Sequence, residues 1–181
     1  QQLHEMLCGR RTRRLDHEGV LAAHVFLDLD LHFAVGEFAH QGLAHRHAEL
    51  DSIDIVEGLV IKDGPHVEVL NVVSLHGGLS ASWPVAAPVT SHLTVESLVE
   101  HWRAVGLPGY AQFDNDTIFQ GPHAHPDVIG RVGRLCLSLG VVPIFVVPHE
   151  FGFQSAIENS NGTWQAKVWT RFQHGSLLDL Q

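Results

Sequence analysis

Residues 67–85 read VEVLNVVSLHGGLSASWPV, a pattern that predicts two antiparallel strands joined by a short turn. The first nine residues are rich in β-branched side chains, which favours a buried strand. A Gly-Gly pair interrupts that run, and residues 79–85 can return beside it as the partner strand. The apolar run at residues 53–59 comes before this hairpin and ends in a Lys-Asp-Gly-Pro turn signal, so it predicts a third strand.

Beyond the hairpin, strand and helix patterns alternate along the chain. They predict a helix capped by Thr94, a strand, a helix with an apolar stripe, a further strand and a last helix, over residues 94–105, 110–113, 128–139, 141–147 and 154–172. Pro143 lacks the N–H that a central strand needs, so its strand is expected at a sheet edge. Strands in a hairpin run followed by alternating helices and strands predict an α/β fold, a mixed sheet with helices on both faces.

Length and composition narrow the class of protein. The 181 residues, at 19.9 kDa, suit one ordinary domain with a possible appendage. The longest apolar runs are too short to span a membrane, so we expect no membrane-spanning helix. Two cysteines, Cys8 and Cys136, form neither a disulfide framework nor a zinc set, which favours the cytoplasm. Eleven Lys and Arg against 20 Asp and Glu argue against DNA binding by electrostatics alone.

The chain is predicted to divide into three parts. Residues 1–48 hold seven of the fifteen histidines and a cluster of four arginines, and they form a poorly defined N-terminal arm. Residues 49–175 carry the regular pattern of strands and helices, and residues 176–181 are a tail. Because the sequence opens with Gln rather than Met, we expect it to be a fragment.

Three carboxylates occupy positions where chemistry could require them. Asp54 lies inside the first apolar strand, Asp114 ends a short strand, and Glu158 lies in the first turn of the last helix. Such positions can converge at one edge of a sheet, and Mg²⁺ prefers oxygen ligands of this kind. Each also has a purely structural interpretation, because an Asp at a strand edge is common, Asp-Asn-Asp is usually a turn and a first-turn Glu complements the helix dipole.

Four short motifs follow one another at compatible spacing. They are Gly-Leu-Pro at 106–108, DNDTIF at 114–119, Gly-Val-Val-Pro at 140–143 and GFQSAIENSNG at 152–162. Together they resemble the catalytic core of DDE integrases and insertion-sequence transposases. The resemblance covers roughly residues 49–173 and implies that 49–175 is an integrase catalytic core, with an RNase H-like fold and a mixed five-stranded sheet.

The resemblance also implies a site and a reaction. Asp54, Asp114 and Glu158 would be the catalytic residues and the ligands of two Mg²⁺ or Mn²⁺ ions, used for nicking DNA and for strand transfer. Asp51 is the alternative to Asp54, which has the better register with the Gly-Leu that follows. Asn115 and Asn161 would orient ligands or the DNA backbone.

Three further residues of the last helix, Gln165, Lys167 and Arg171, are expected to contact DNA. Asp116 departs from the family pattern, because it replaces the usual Gly with a negative charge beside the metals. From residue 49 onward there are 14 acidic and 6 basic residues. DNA affinity is therefore expected to depend on another domain or on a partner subunit.

The interpretation that results is a transposase core of bacterial type, acting in the cytoplasm at the nucleoid. Its expected partners are DNA, as element ends and target, and further copies of the chain in a homo-oligomer. Two alternatives stay open. One is a catalytically inactive remnant that only binds DNA or other subunits, and the other is an RNase H-like nuclease that acts on RNA–DNA hybrids.

Overall fold

The computed structural model of the chain describes residues 45–121, 128–147, 152 and 154–181, without the side chains of residues 45–48. Almost all of the predicted N-terminal arm lies outside these described residues. All of the described residues belong to one compact unit, which spans residues 38–181. The division of the chain into arm, core and tail stays a prediction.

Five strands form one mixed sheet with the order β3-β2-β1-β4-β5. They are β1 (His45–Val60), β2 (His66–Ser74), β3 (Ser80–Ala86), β4 (Leu107–Phe113) and β5 (Val142–Phe145). β2 runs antiparallel to both β1 and β3, which confirms the predicted hairpin, whereas β4 runs parallel to both β1 and β5. The short strand with Pro143 lies at a sheet edge, as predicted.

Four α-helices connect or follow the strands of the described chain. They are α1 (Ser91–Val105), α2 (Thr117–Gln120), α3 (Arg131–Ser138) and α4 (Ser155–Trp164), and α4 continues into a π-helical turn at Gln165–Trp169. The apolar stripe predicted a helix from residue 128, but Val128 and Ile129 are exposed and precede α3.

The predicted cap of α1 was wrong by one turn. Thr90, not Thr94, has the extended backbone of an N-cap, and its hydroxyl accepts the N–H of Leu93 at 3.2 Å. Thr94 is buried inside the first turn and donates its hydroxyl to the carbonyl of Thr90. Both threonines fit the capping pattern by sequence, and the start of the helix is set by its packing on the sheet.

Helices cover both faces of the sheet, as the alternation along β1 shows. Successive side chains of a strand point to opposite faces, so Asp51 and Asp54 lie on different sides. Asp51 accepts a hydrogen bond from Trp102 of α1 at 3.0 Å, and Asp54 accepts one from Asn161 of α4 at 2.7 Å. α1 and α4 therefore pack on opposite faces, which confirms the predicted α/β, RNase H-like architecture.

A separate hydrophobic cluster lies on the face of the sheet that α4 covers. β1 contains a bulge between Val56 and Leu59, where Gly58 takes a φ of 75° that other residues rarely adopt. Five buried residues around this bulge pack against Trp164, Trp169, Leu177 and Leu180: they are Val56, Leu59, Ile61, Val67 and Val69. Each such side chain contributes about 1.5–3 kcal/mol when fully buried. This packing holds α4 over β1 and β2.

None of the helices in the described part of the chain is long and apolar enough to cross a membrane.

Candidate active site

The pairing of β1 with β4 places two aspartates side by side. Ser52 of β1 lies opposite Gln112 of β4 in the parallel ladder, and Asp54 and Asp114 each follow two residues later. Since side chains alternate along a strand, Asp54 points to the face that α4 covers, and the charge of Asp114 is close enough to act on it. Asp114 comes directly after Phe113, the last residue of β4, so it stands at the carboxyl end of that strand.

The electrostatics show that the acidic groups lie close together. Burial raises the pKa of Asp54 to about 6, and the charges of Asp114 and Glu158 raise it as well. Hydrogen bonds from the backbone of Ile55 and from Asn161 act in the opposite direction. The pKa of Asp114 is also raised, mainly by burial and then by the charge of Asp116. A positive charge at this point would therefore be strongly favoured.

Helix α4 brings two further groups to the aspartates. Glu158 and Asn161 are three residues apart and so share one helical face. Asn161 is buried, and its Nδ2 donates to Oδ2 of Asp54 at 2.7 Å. Glu158 is exposed in the first turn of the helix. The fold thus gathers Asp54, Asp114, Glu158 and Asn161 from three distant segments.

Asn71 of β2 is a member of this group that sequence reasoning missed. It lies directly opposite Asp54 in the β1–β2 ladder, and its Nδ2 donates to Oδ1 of Asn161 at 2.8 Å. The side chain is 4% exposed. A polar residue in the middle of the apolar run VEVLNVVSL was the signal that could have identified it.

The turn after β4 is held by its own polar side chains. Oδ1 of Asp114 accepts the N–H of Asp116 at 3.0 Å, and Oδ1 of Asp116 caps α2 by accepting the N–H of Ile118 at 2.7 Å. The residue that replaces the usual Gly of the family therefore serves as a helix cap. Asn115 donates to the carbonyl of Val146 at 2.7 Å and accepts from Gln120. Its amide ties the end of β4 to the chain after β5 and to α2.

Asp51, the alternative to Asp54, lies in a different environment. It is fully buried below α1, where it bonds Trp102 and lies 3.8 Å from Nε2 of His101. Glu49, two residues earlier on the same face, is also buried and accepts from the hydroxyl of Ser74. The carboxylate of Asp51 therefore points away from the face where Asp114 and Asn161 meet Asp54.

The three residues expected to contact DNA follow or extend α4. Gln165 is half-buried in the π-helical turn. Lys167 is exposed and lines a groove of about 200 Å³ between α4 and the β2–β3 hairpin, together with Asn71 and Ser160. Arg171 is exposed beyond the turn, with its guanidinium over the ring of Phe172. Their contact with DNA stays a prediction.

The acidic cluster fits a hard divalent cation only in part. Asp54 and Asp114 offer neighbouring oxygen donors, and no described residue is a positive partner that lowers their pKa values, which suits Mg²⁺ or Mn²⁺. Within the described ranges, however, no set of three His, Cys, Asp or Glu side chains is arranged so that it could hold a metal ion. Glu158 contributes charge to the cluster without completing a three-carboxylate site.

We predict that Asp54→Asn increases stability at neutral and higher pH. The pKa of Asp54 is about 6 in the folded chain, against the usual value of 3.8. This difference stabilises the folded chain in full below pH 3.8, and the stabilisation is lost as the pH rises through about 6. Removing the ionisable group should therefore stabilise the fold by about 1–2 kcal/mol at pH ~8, allowing for partial exposure, with no gain below pH 3.8. Denaturant unfolding without divalent cations measures the difference. Asp63→Asn, in an exposed turn, controls for the change in net charge; an equal gain at all pH values would contradict the prediction.

The sheet order and the helices on both faces define an RNase H-like fold of the integrase type. A chain of the simian T-cell lymphotropic virus intasome, solved in complex with PP2A regulatory subunit B56 gamma, is similar with a TM-score of 0.54 and 16% identity. The match covers 76% of this chain and 47% of that one, so the present chain spans about half of its length.

Two integrase catalytic core domains are similar over a smaller part of the chain. That of HTLV-2 integrase, in complex with magnesium, has a TM-score of 0.47 and 15% identity, over 65% of this chain and 66% of that one. That of BIV integrase has a TM-score of 0.46 and 16% identity, over 65% and 71%. No protein-family model and no curated protein matches the sequence. At these identities the similarity shows the fold alone.

Proposed function

We propose that the chain is the catalytic core of a DDE transposase or integrase, which nicks DNA and joins strands with the help of divalent ions. One observation carries the proposal: Asp54 and Asp114 stand side by side on parallel strands of an RNase H-like sheet, under a helix that presents Glu158 and Asn161. Two neighbouring aspartates with raised pKa values are costly for the fold, and such perturbed groups are typical of functional sites.

Asp54, Asp114 and Glu158 are the proposed catalytic residues and would hold the metal ions. The chemistry that two such ions supply is activation of the attacking oxygen and stabilisation of the leaving oxygen. The other groups hold the acids in place. Asn161 orients Asp54 through one hydrogen bond, and the N–H of Asp116 orients Asp114.

The proposed partners are DNA, as element ends and target, and further copies of the chain in a homo-oligomer at the bacterial nucleoid. Lys167 and Arg171 are exposed beside or beyond α4, where a phosphate backbone could reach them. The excess of 14 acidic over 6 basic residues after residue 48 leaves little net attraction for DNA. A second subunit or another domain would supply most of the affinity.

A second candidate function is a non-catalytic domain that keeps this fold for DNA or subunit binding. Three observations favour it. The described residues include no group of three side chains arranged for a metal, and Glu158 is exposed at the rim of the cluster. The acidic balance also reduces the expected affinity for a DNA substrate.

The test is a nicking assay on supercoiled plasmid with Mg²⁺, Mn²⁺ or EDTA, repeated on single-stranded DNA and on an RNA–DNA hybrid. We expect cleavage of DNA that needs a divalent ion and that is lost in Glu158→Gln. Glu96→Gln, an exposed glutamate on α1, is the matched control and should retain cleavage. Cleavage of the hybrid alone would favour the RNase H-like nuclease.

A thermal titration with Mn²⁺ separates the two candidate functions without a DNA substrate. An ion that binds only the folded chain stabilises it by about 2.7 kcal/mol at a concentration of 100 Kd. We expect this stabilisation in the parent chain and in Glu96→Gln, and its loss in Asp54→Asn. A parent chain with no Mn²⁺-dependent shift and no nicking would support the non-catalytic domain.

A further inference from the structure

Two asparagines and one aspartate form a hydrogen-bonded row across the sheet and helix α4. Asp54 and Asn71 are direct cross-strand partners in the antiparallel β1–β2 ladder, so their side chains emerge on the same face. The side chain of Asn161 reaches down from α4 and bonds both of them. Its Nδ2 donates to Asp54 at 2.7 Å, and its Oδ1 accepts from Asn71 at 2.8 Å.

The hydrogen bonds of this row run in one direction, because the two ends of an amide side chain differ. An asparagine side chain has a donor end and an acceptor end of nearly the same shape. If the amide of Asn161 turned over, its oxygen would face the carboxylate of Asp54 and its NH₂ would face the NH₂ of Asn71. Both contacts would be repulsive. The ionised carboxylate of Asp54 can only accept, so it selects the orientation of Asn161, and Nδ2 of Asn71 satisfies the oxygen end that remains.

Stability of the fold does not explain why position 71 is polar. Asn71 is 4% exposed, and its neighbours Leu70 and Val72 are fully buried. Its Oδ1 has no hydrogen-bond partner among the described residues. A buried acceptor without a partner costs about 1–3 kcal/mol, whereas an apolar side chain of similar size would avoid this cost. The hydrogen bond that the amide does make goes to Oδ1 of Asn161, so the polar side chain at position 71 serves Asn161 rather than its own strand.

We propose that Asn71 is a positioning residue that holds the oxygen end of the Asn161 amide, so that the NH₂ end stays bonded to Asp54. The inference deepens the proposed function, because it concerns how Asp54 is held for a divalent ion. Asn71 touches neither DNA nor ion in this arrangement and acts only through Asn161. The NH₂ of Asn161 bonds Oδ2 of Asp54, so this oxygen is held at a fixed place above the sheet.

The first test replaces Asn71 with Leu, which keeps the approximate volume and removes the donor. We expect thermal stability to stay within about 1 kcal/mol of that of the parent chain, because the unpaired Oδ1 of Asn71 is removed while the buried Oδ1 of Asn161 loses its donor. We also expect Mn²⁺ binding, followed by thermal titration, to weaken about 10-fold, as is typical when the hydrogen-bond partner of a ligand is lost. Lower stability together with unchanged Mn²⁺ affinity would show a structural role and overturn the proposal.

A double-mutant cycle with Asn161→Leu shows whether Asn71 acts through Asn161. If it does, Asn71→Leu weakens Mn²⁺ binding in the parent chain and has no further effect in the Asn161→Leu background. Additive losses in the double variant would mean that Asn71 acts by another route and would overturn the proposal.

The orientation of the amide can also be measured without any metal. The side-chain NH₂ signal of Asn161 in an isotopically labelled chain should be protected from solvent exchange in the parent and at least about 10-fold less protected in Asn71→Leu. Equal protection in both chains would overturn the proposal. A parent chain that binds no Mn²⁺ and nicks no DNA would remove the proposed function alone, since this measurement still decides the positioning role.

Discussion

Replacing Asp114 with Asn is expected to abolish divalent-ion-dependent nicking while leaving the chain folded. The carboxylate stands at the end of β4 beside Asp54, where the proposed site needs oxygen ligands with negative charge. Loss of an ion ligand that serves the transition state costs about 4 kcal/mol or more, which corresponds to a fall in rate of at least ~10³-fold. A plasmid-nicking time course measures the rate.

The fold should survive this substitution, because burial raises the pKa of Asp114 and its ionised form is therefore unfavourable in the folded chain. Circular dichroism and the melting temperature check this. Asp116→Asn is the matched control two residues away, since Asn is as good an N-cap as Asp and preserves the start of α2. Retained nicking in Asp114→Asn, or equal loss in both variants, would refute the assignment of Asp114.

Replacing Asp51 or Asp54, on opposite faces of β1, with Ala should have different effects: the first should lower stability, and the second should abolish nicking. Asp51→Ala is expected to lower the free energy of unfolding by about 3 kcal/mol, because it leaves the Trp102 Nε1–H below α1 without its acceptor and opens a cavity. Asp54→Ala removes a carboxyl group with a raised pKa and should change the free energy of unfolding by less than about 1 kcal/mol. Urea denaturation measures both.

The effects of these two substitutions on nicking should be in the reverse order of their effects on stability. Where Asp51→Ala is still folded, its nicking should remain within a few-fold of that of the parent, whereas Asp54→Ala should be inactive. Asp51→Asn keeps an acceptor for Trp102 and should be less destabilising than Asp51→Ala. A folded Asp51→Ala chain with no nicking, beside an active Asp54→Ala chain, would transfer the catalytic role to Asp51.

Local patterns predicted most of the secondary structure and its order. The β-branched run, the Gly-Gly break and the returning strand are neighbours in sequence, so the β2–β3 hairpin could be recognised from residues that also touch in space. The edge position of the strand with Pro143 followed from one missing N–H. The start of α1 could not be predicted as well, because Thr90 and Thr94 both fit the capping pattern and only packing separates them.

Some residues of the candidate site could likewise be predicted from local motifs, whereas their position relative to one another could not. Asp114, Asn115 and Asp116 form a recognisable motif, and Glu158 with Asn161 forms another. Their joint position with Asp54 depends on which residues of β1 lie opposite β4, which is a contact between segments far apart in the chain. Asn71 was missed because its role depends on two residues that are far away in sequence: Asp54, which lies opposite it in the ladder, and Asn161, to which it donates a hydrogen bond.

The sequence alone therefore determined the class of fold, the order of its elements and the acidic residues from which a site could be built. Only the tertiary structure showed that Asp51 lies under α1 whereas Asp54 lies under α4, and it also revealed the row that runs from Asn71 through Asn161 to Asp54. The physical reason is the two-residue repeat of a strand. Which face of β1 meets α4 is set by long-range register and helix packing, and a shift of one residue would exchange the two faces.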